Sequence, residues 1–190
     1  MNVEELQRQV EYKFAPGPLL AIQALANTYA FDTEEERLLD PEATRSWLVE
    51  SDLAQPGVVV DADGRELLVR FRELIRDLLE ANHDDEHEPD VAALGAVAAA
   101  HPVPLAVGPN GEVALDLEPP ETVDGVIAQM IGIVADSQTR NEWPRLKICA
   151  FDECRWAYYD SSKNRGGTWC RMEECGNRVK NRRYRERAKG

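Results

Sequence analysis

Apolar positions along the chain recur at intervals that predict mostly helix. Leu67, Leu68, Phe71, Leu74, Ile75, Leu78 and Leu79 fall three and four apart, the period of one helix face. They predict a helix over 65–82. Val123, Val126, Ile127, Met130, Ile131 and Val134 do the same for 122–139. Residues 41–53 read as a helix with Asp40 as N-cap, Pro41 in the first turn, and Trp47 and Leu48 inward. Residues 19–29 are apolar enough for a buried helix, and Val91–Ala100 is an alanine-rich one stopped by Pro102-Val103-Pro104. Leu105-Ala106-Val107 and the run from Val113 to Leu117 flank Gly108-Pro109-Asn110-Gly111. That arrangement predicts a β-hairpin.

These elements make an α+β class: a mostly helical N-terminal domain with a β-hairpin, expected over 1–140. Residues 141–190 differ in kind. Residues 140–190 hold 14 Lys+Arg and 7 Asp+Glu, whereas residues 1–139 hold 8 and 28. The net charge of -13 therefore averages an acidic body and a basic module, a division that suggests a contact function for the second part. Asn141-Glu142-Trp143-Pro144 is the expected hinge between them. No apolar stretch is long enough for a membrane helix. The acidic start, Met1-Asn2-Val3-Glu4-Glu5, does not read as a secretory signal, so the expected compartment is the reducing cytoplasm.

Cys149, Cys154, Cys170 and Cys175 all lie in the basic part, as two C-x4-C pairs separated by fifteen residues. Two short thiol pairs with such a spacer are a metal signature, and four thiolates suit a tetrahedral zinc. Disulfides are the competing use, but they are rare in a reducing compartment. Iron–sulfur is the other, and the finger-like layout favours zinc over it. Four protein ligands leave no open position, so one structural ion per chain is expected. Around the thiols the order is a knuckle at 149–154, an aromatic strand at 155–160, a turn at 161–167, a return strand at Thr168-Trp169, and a helix from Arg171. This order is treble-clef-like. On a regular helix, Arg171, Arg178, Arg182, Arg185 and Lys189 share one stripe, with Met172, Cys175 and Val179 facing inward. Asn177 and Asn181 lie four apart and could reach bases or phosphates. A cationic stripe on a metal-anchored helix suits a phosphate backbone.

Cys175-Gly176-Asn177-Arg178, with Trp169-Cys170 and Tyr159-Asp160 before it, resembles the CGNR zinc-finger family. Members of that family carry an N-terminal ABATE domain and are described as stress-induced transcription regulators. Ala26-Asn27-Thr28, Leu39-Asp40 and Trp47-Leu48 resemble motifs of that domain. The resemblance implies a treble-clef finger and DNA binding.

No nucleophile or acid–base pair stands out, so no enzymatic activity is expected. His83 and His87 are four apart in an acidic run and read as a solvated turn. Glu34-Glu35-Glu36 reads as a solvated face. The leading expectation is a zinc-dependent DNA-binding transcription regulator whose acidic domain senses a small-molecule ligand or forms a homodimer. The alternative is a protein–protein interaction module, or an RNA binder stacking bases on Trp156, Tyr158 or Tyr159, with a structural zinc.

Overall fold

The computed structural model describes residues 1–82 and 86–187, without the side chain of Arg183. In chain order the body contains α1 (Val3–Val10), α2 (Leu19–Ala26), β1 (Tyr29–Ala30), β2 (Glu35–Glu36), α3 (Pro41–Glu50), α4 (Ala62–Glu80), α5 (Val91–Ala100), β3 (Leu105–Val107), β4 (Val113–Leu115) and α6 (Val123–Thr139). A 3-10 turn (Trp143–Arg145) leads to β5 (Leu146–Ile148) and β6 (Ala157–Tyr159). A π-helical turn (Met172–Gly176) then opens the last helix, α7 (Asn177–Arg187).

The helices expected from periodicity are present, with ends set by their caps. Asp40, Asp61, Asp90 and Thr122 each accept a backbone N–H of the first turn, which fixes where α3, α4, α5 and α6 begin. α1 is an element the pattern did not single out. It is short and buries only Leu6, Gln9 and Val10. All eight residues of α2 are buried, so α2 is the centre of the body, wrapped by α1, α4 and α6. α4 turns Leu68, Phe71, Ile75 and Leu79 inward, all fully buried, each side chain contributing about 1.5–3 kcal/mol. β3 and β4 pair antiparallel with Leu105 opposite Leu115, as the hairpin reading expects.

The free hinge expected near Trp143 is corrected. Trp143 is buried, and Leu146, Ile148 and Ala157 belong to the same apolar core as α2 and α4. The Asn82 side chain donates to the carbonyls of Trp143 (2.9 Å) and Leu146 (2.7 Å). The basic module is therefore docked onto the body. The expected partner of the aromatic strand is corrected too. β6 pairs with β5 in the register Leu146↔Tyr159, and Thr168-Trp169 is not a strand. Three buried residues of β5 gain a core by lying against α4, which the polar loop before Thr168 could not offer them.

β6 meets the body on its other edge. The Asn27 side chain donates to the Ala157 carbonyl (2.9 Å) and accepts from the Ala157 N–H (2.7 Å), replacing a strand with one amide group. Gln23 also donates to the Ala157 carbonyl (3.2 Å), and the Tyr159 N–H donates to the Lys13 carbonyl (2.9 Å). Arg76 bolts the same seam. Its guanidinium donates to the carbonyls of Ala26 (2.5 Å) and Arg155 (2.8 Å) and lies over the Phe31 ring. Burial pulls its pKa down to about 10.

Glu36 departs from the solvated-face reading, since it is the 2.8 Å partner of buried Arg72. His87 departs from the solvated turn. It is half-buried and 2.7 Å from Asp77. His83 lies outside the described residues.

Candidate metal centre and nucleic-acid interface

The four cysteines are brought together at the end of the β5–β6 hairpin. Their sulfurs all lie within 4.8 Å of one another. Cys154 Sγ and Cys175 Sγ each stand 3.6 Å from Cys170 Sγ. No disulfide links them. Tetrahedral thiolates about 2.3 Å from a zinc ion are about 3.8 Å apart, so the spacing suits four ligands to one ion. It is far from the roughly 2.05 Å of an S–S bond.

Local structure explains both wide C-x4-C pairs. In the first, the Phe151 carbonyl accepts the N–H groups of Cys154 (2.8 Å) and Arg155 (3.1 Å), curling the chain so that Cys154 faces Cys149. Arg155 takes a φ of 49° to leave this turn. In the second, the Gly176 N–H donates five residues back to the Arg171 carbonyl (3.2 Å). A π turn is wider than an α turn, and that width accommodates four intervening residues. A Cβ at Gly176 would stand 2.5 Å from Met172 Sδ and 3.3 Å from the Trp169 ring, so any larger residue there would have to displace the Met172 side chain.

Electrostatics in the cluster favour a cation. Hydrogen bonds from the Cys149 and Cys154 thiols, with one from the Tyr12 hydroxyl, hold Cys170 far below the ordinary thiol value. Hydrogen bonding to Cys149 and Cys170 pushes Cys154 up, and burial pushes Cys175 up to about 12. One thiolate is tolerated by its neighbours and further ones repel it. A divalent ion would allow all four to ionise.

The loop from β6 to Cys170 is tied down by Asp160. Its carboxylate accepts the N–H groups of Ser162 (3.0 Å) and Gly167 (2.7 Å) and pairs with buried Lys147 (3.2 Å). A Cβ at Gly167 would meet that carboxylate at 2.8 Å. Burial opposes ionisation of Asp160, but the hydrogen bonds from Ser162, Gly167 and Lys147 outweigh it and lower its pKa to about 2.

The stripe expected on a regular helix from Arg171 is altered by the π turn. Arg171 is the extended residue before that turn. It stacks on the Tyr12 ring at 3.9 Å and pairs with Glu174 (2.7 Å) and Glu11 (3.7 Å), in a cleft that Arg178 also lines. Met172, expected inward, is 40% exposed. Val179 and Cys175 are buried as expected. Within α7 the regular period resumes, and Arg178, Asn181, Arg182 and Arg185 line one open cleft with Phe151, Glu153 and Glu186. Arg178 and Arg182 both lie 5.9 Å from the Phe151 ring centre, and Arg182 is 3.5 Å from Asp152. Asn177 is exposed, with its amide donating to the Glu173 carbonyl (2.9 Å). Lys189 lies outside the described residues.

The aromatics expected for base stacking are corrected. Tyr158 is fully buried and donates to the Gly167 carbonyl (2.7 Å), and the Trp156 indole donates to the Val10 carbonyl (3.2 Å). Tyr159 is half-buried, with its N–H bound to Lys13. Tyr158 and Trp156 pack in the core of a small module that has little else to bury, while Tyr159 packs against the core of the body. Tyr184, 75% exposed on α7 beside Lys180, Asn181 and Arg187, is the one sequence reasoning passed over. A lone aromatic in an otherwise polar helix was the available signal.

A second cleft, of about 230 Å³, lies where the body meets the finger, lined by Tyr12, Asn27, Thr28, Arg37, Trp156 and Arg171 among others. Among the described residues no helix is long and apolar enough to cross a membrane.

Two family models match the chain. One, ABATE, described as "Putative stress-induced transcription regulator", covers residues 21–137. The other, the CGNR zinc finger, covers residues 145–188. None of the curated proteins searched matches the chain.

Proposed function

The chain belongs to the ABATE family and ends in a CGNR zinc finger, and from that premise we propose that it is a DNA-binding transcription regulator acting in the cytoplasm. Cys149, Cys154, Cys170 and Cys175 hold one structural zinc per chain, and the protein is not an enzyme. The observation that carries this reading is the convergence of Arg178, Asn181, Arg182 and Arg185 on one exposed face of α7, a helix that follows directly on the π turn carrying Cys175. Guanidinium groups on a rigid helix bind phosphates, and the asparagine can reach a base edge. Asn177 remains a weaker member of this surface. Arg171 is engaged elsewhere, and its part is to brace the finger against Tyr12. In this reading the division at 140/141 separates two roles: an acidic body, and a basic finger that touches nucleic acid.

The body has two further parts in this reading. The cleft beside Tyr12 and Arg171 supports ligand sensing, because an occupant would touch both body and finger. The stretch from Val91 to Gly111 has no charged side chain, and Val91, Leu105 and Val107 are exposed. Two acidic bodies could meet on that face without opposing like charges, which supports a homodimer.

The test is DNA affinity against salt. Each lost phosphate contact should lower the log–log slope by about 0.9. The zinc-loaded triple variant Arg178→Ala/Arg182→Ala/Arg185→Ala should bind more weakly with a shallower slope. Unchanged affinity and slope would sink the proposal. Tyr184 favours a second reading, RNA or single-stranded binding by stacking. In that case Tyr184→Ala would weaken single strands and leave duplex affinity alone.

A further inference from the structure

Three metal-binding side chains unrelated to the cysteines converge on the face of α4 nearest the finger. Asp77 and Glu80 are one turn apart on α4, and the chain beyond α4 brings His87 back over them. His87 Nε2 is 2.7 Å from Asp77 Oδ1 and 3.9 Å from Glu80 Oε2. One ligand atom from each residue lies within 4.8 Å of the other two. We propose that Asp77, Glu80 and His87 form a second metal site, one for an exchangeable divalent transition-metal ion.

The donor set separates this site from an ordinary acidic patch. An imidazole with two carboxylates suits Zn²⁺, Mn²⁺, Fe²⁺, Co²⁺ or Ni²⁺, where calcium and magnesium would call for oxygen alone. Three protein ligands leave open positions, unlike the closed four-cysteine site. The site is also held in shape. Asp77 Oδ2 accepts the Asp90 N–H at 2.6 Å, which leaves Oδ1 aimed at His87, the outer support that metal-binding carboxylates commonly have. It opens onto a cleft of about 220 Å³ shared with Cys149, Ala150, Asp152 and Arg155, so an ion has access from solvent.

Arg155 ties the site to the finger. Its guanidinium pairs with Glu80, while its Nε is buried with no hydrogen-bond partner. A divalent ion and Arg155 would compete for the same carboxylate. Arg155 directly follows the ligand Cys154 and lies over Phe31, so the competition acts at the first knuckle. The site stands whether or not the finger binds DNA. For a sensing body, it gives the ligand a chemical class.

The full chain, stripped of metal and titrated with Co²⁺, should take two equivalents. The first should bring the intense thiolate-to-cobalt charge-transfer bands, and the second should leave them unchanged. Asp77→Asn and His87→Gln should each take one equivalent with the same bands and no second one over the same titration. The far-UV circular dichroism of both should match the parent. A single equivalent in the parent chain, or a second equivalent that survives both substitutions, would overturn the site. Loss of DNA binding with two equivalents still bound would count against the regulator reading alone.

Discussion

The body and the finger draw stability from different sources. The body has a conventional core, with α2 buried at all eight positions and four large apolar residues of α4 beneath it. The finger's own cluster is Cys149, Phe151, Tyr158, Cys170, Cys175 and Val179, half of it thiols. So few apolar residues cannot offset the conformational entropy of about fifty. The finger is completed from outside, by a metal ion at the cysteines and by the body along β6. The body could keep most of its core without the finger, whereas the finger needs both supports.

Metal removal should break this comparison most visibly. Structural zinc is worth about 10–16 kcal/mol in small fingers. Chelation, or Cys170→Ser, should therefore unfold 149–187, seen as loss of amide protection there, while α2, α4 and α6 stay protected. Unfolding of the whole chain would mean that the two parts are one unit.

The seam comes next. Asn27→Ala leaves the Ala157 N–H without a partner, at about 1–3 kcal/mol for one unsatisfied buried group, while the Ala157 carbonyl keeps Gln23. Urea denaturation should show a lower midpoint, with the finger losing protection before α4. An unchanged midpoint would mean that the docking is held by apolar contact alone.

Acid should act on the finger through Asp160. Its folded pKa of about 2 lies below the ordinary 3.8. The stability it contributes is therefore complete above pH 3.8 and is lost as pH falls through about 2. Asp160→Asn should remove that part of the acid transition while lowering stability at neutral pH, since Lys147 then stays buried without its charge partner. An acid transition in the variant identical to the parent's would remove Asp160 from the account.

The smallest effect belongs to the exposed face of α7. Arg185→Ala and Tyr184→Ala should change stability by no more than about 0.5 kcal/mol, measured by thermal melting, and act only on binding. A larger loss from either would mean that α7 is part of the fold's support.

The body's helices were legible because periodicity and capping are local. Asp40 marks the start of α3 within a few residues of sequence, whereas the Asp61 cap sets α4 three residues ahead of the expected start at Arg65. The four clustered cysteines were legible for a similar reason, since metal-binding thiols come in short, regular spacings. α1 was less visible, being short and weakly apolar. The partner of β6 was not legible, because Thr168-Trp169 reads as its return strand and Leu146–Ile148 is not singled out by any pattern. Only the body's surface distinguishes them.

Sequence alone determined the class, the opposite charges of the two parts, the cysteine set and the family. Each rests on residue identity or on short spacing, which three-dimensional context does not change. The tertiary structure decided what the polar residues do. Asn27, Gln23 and Arg76 became the seam, because buried backbone groups of β6 and its turn had to find partners. Asp77, Glu80 and His87 met, because the chain beyond α4 turns back over it. Arg171 is held by Tyr12, Glu11 and Glu174 outside the regular helix it was counted on, because it is the extended residue before a π turn, and such a turn advances the chain by a different angle from an α turn.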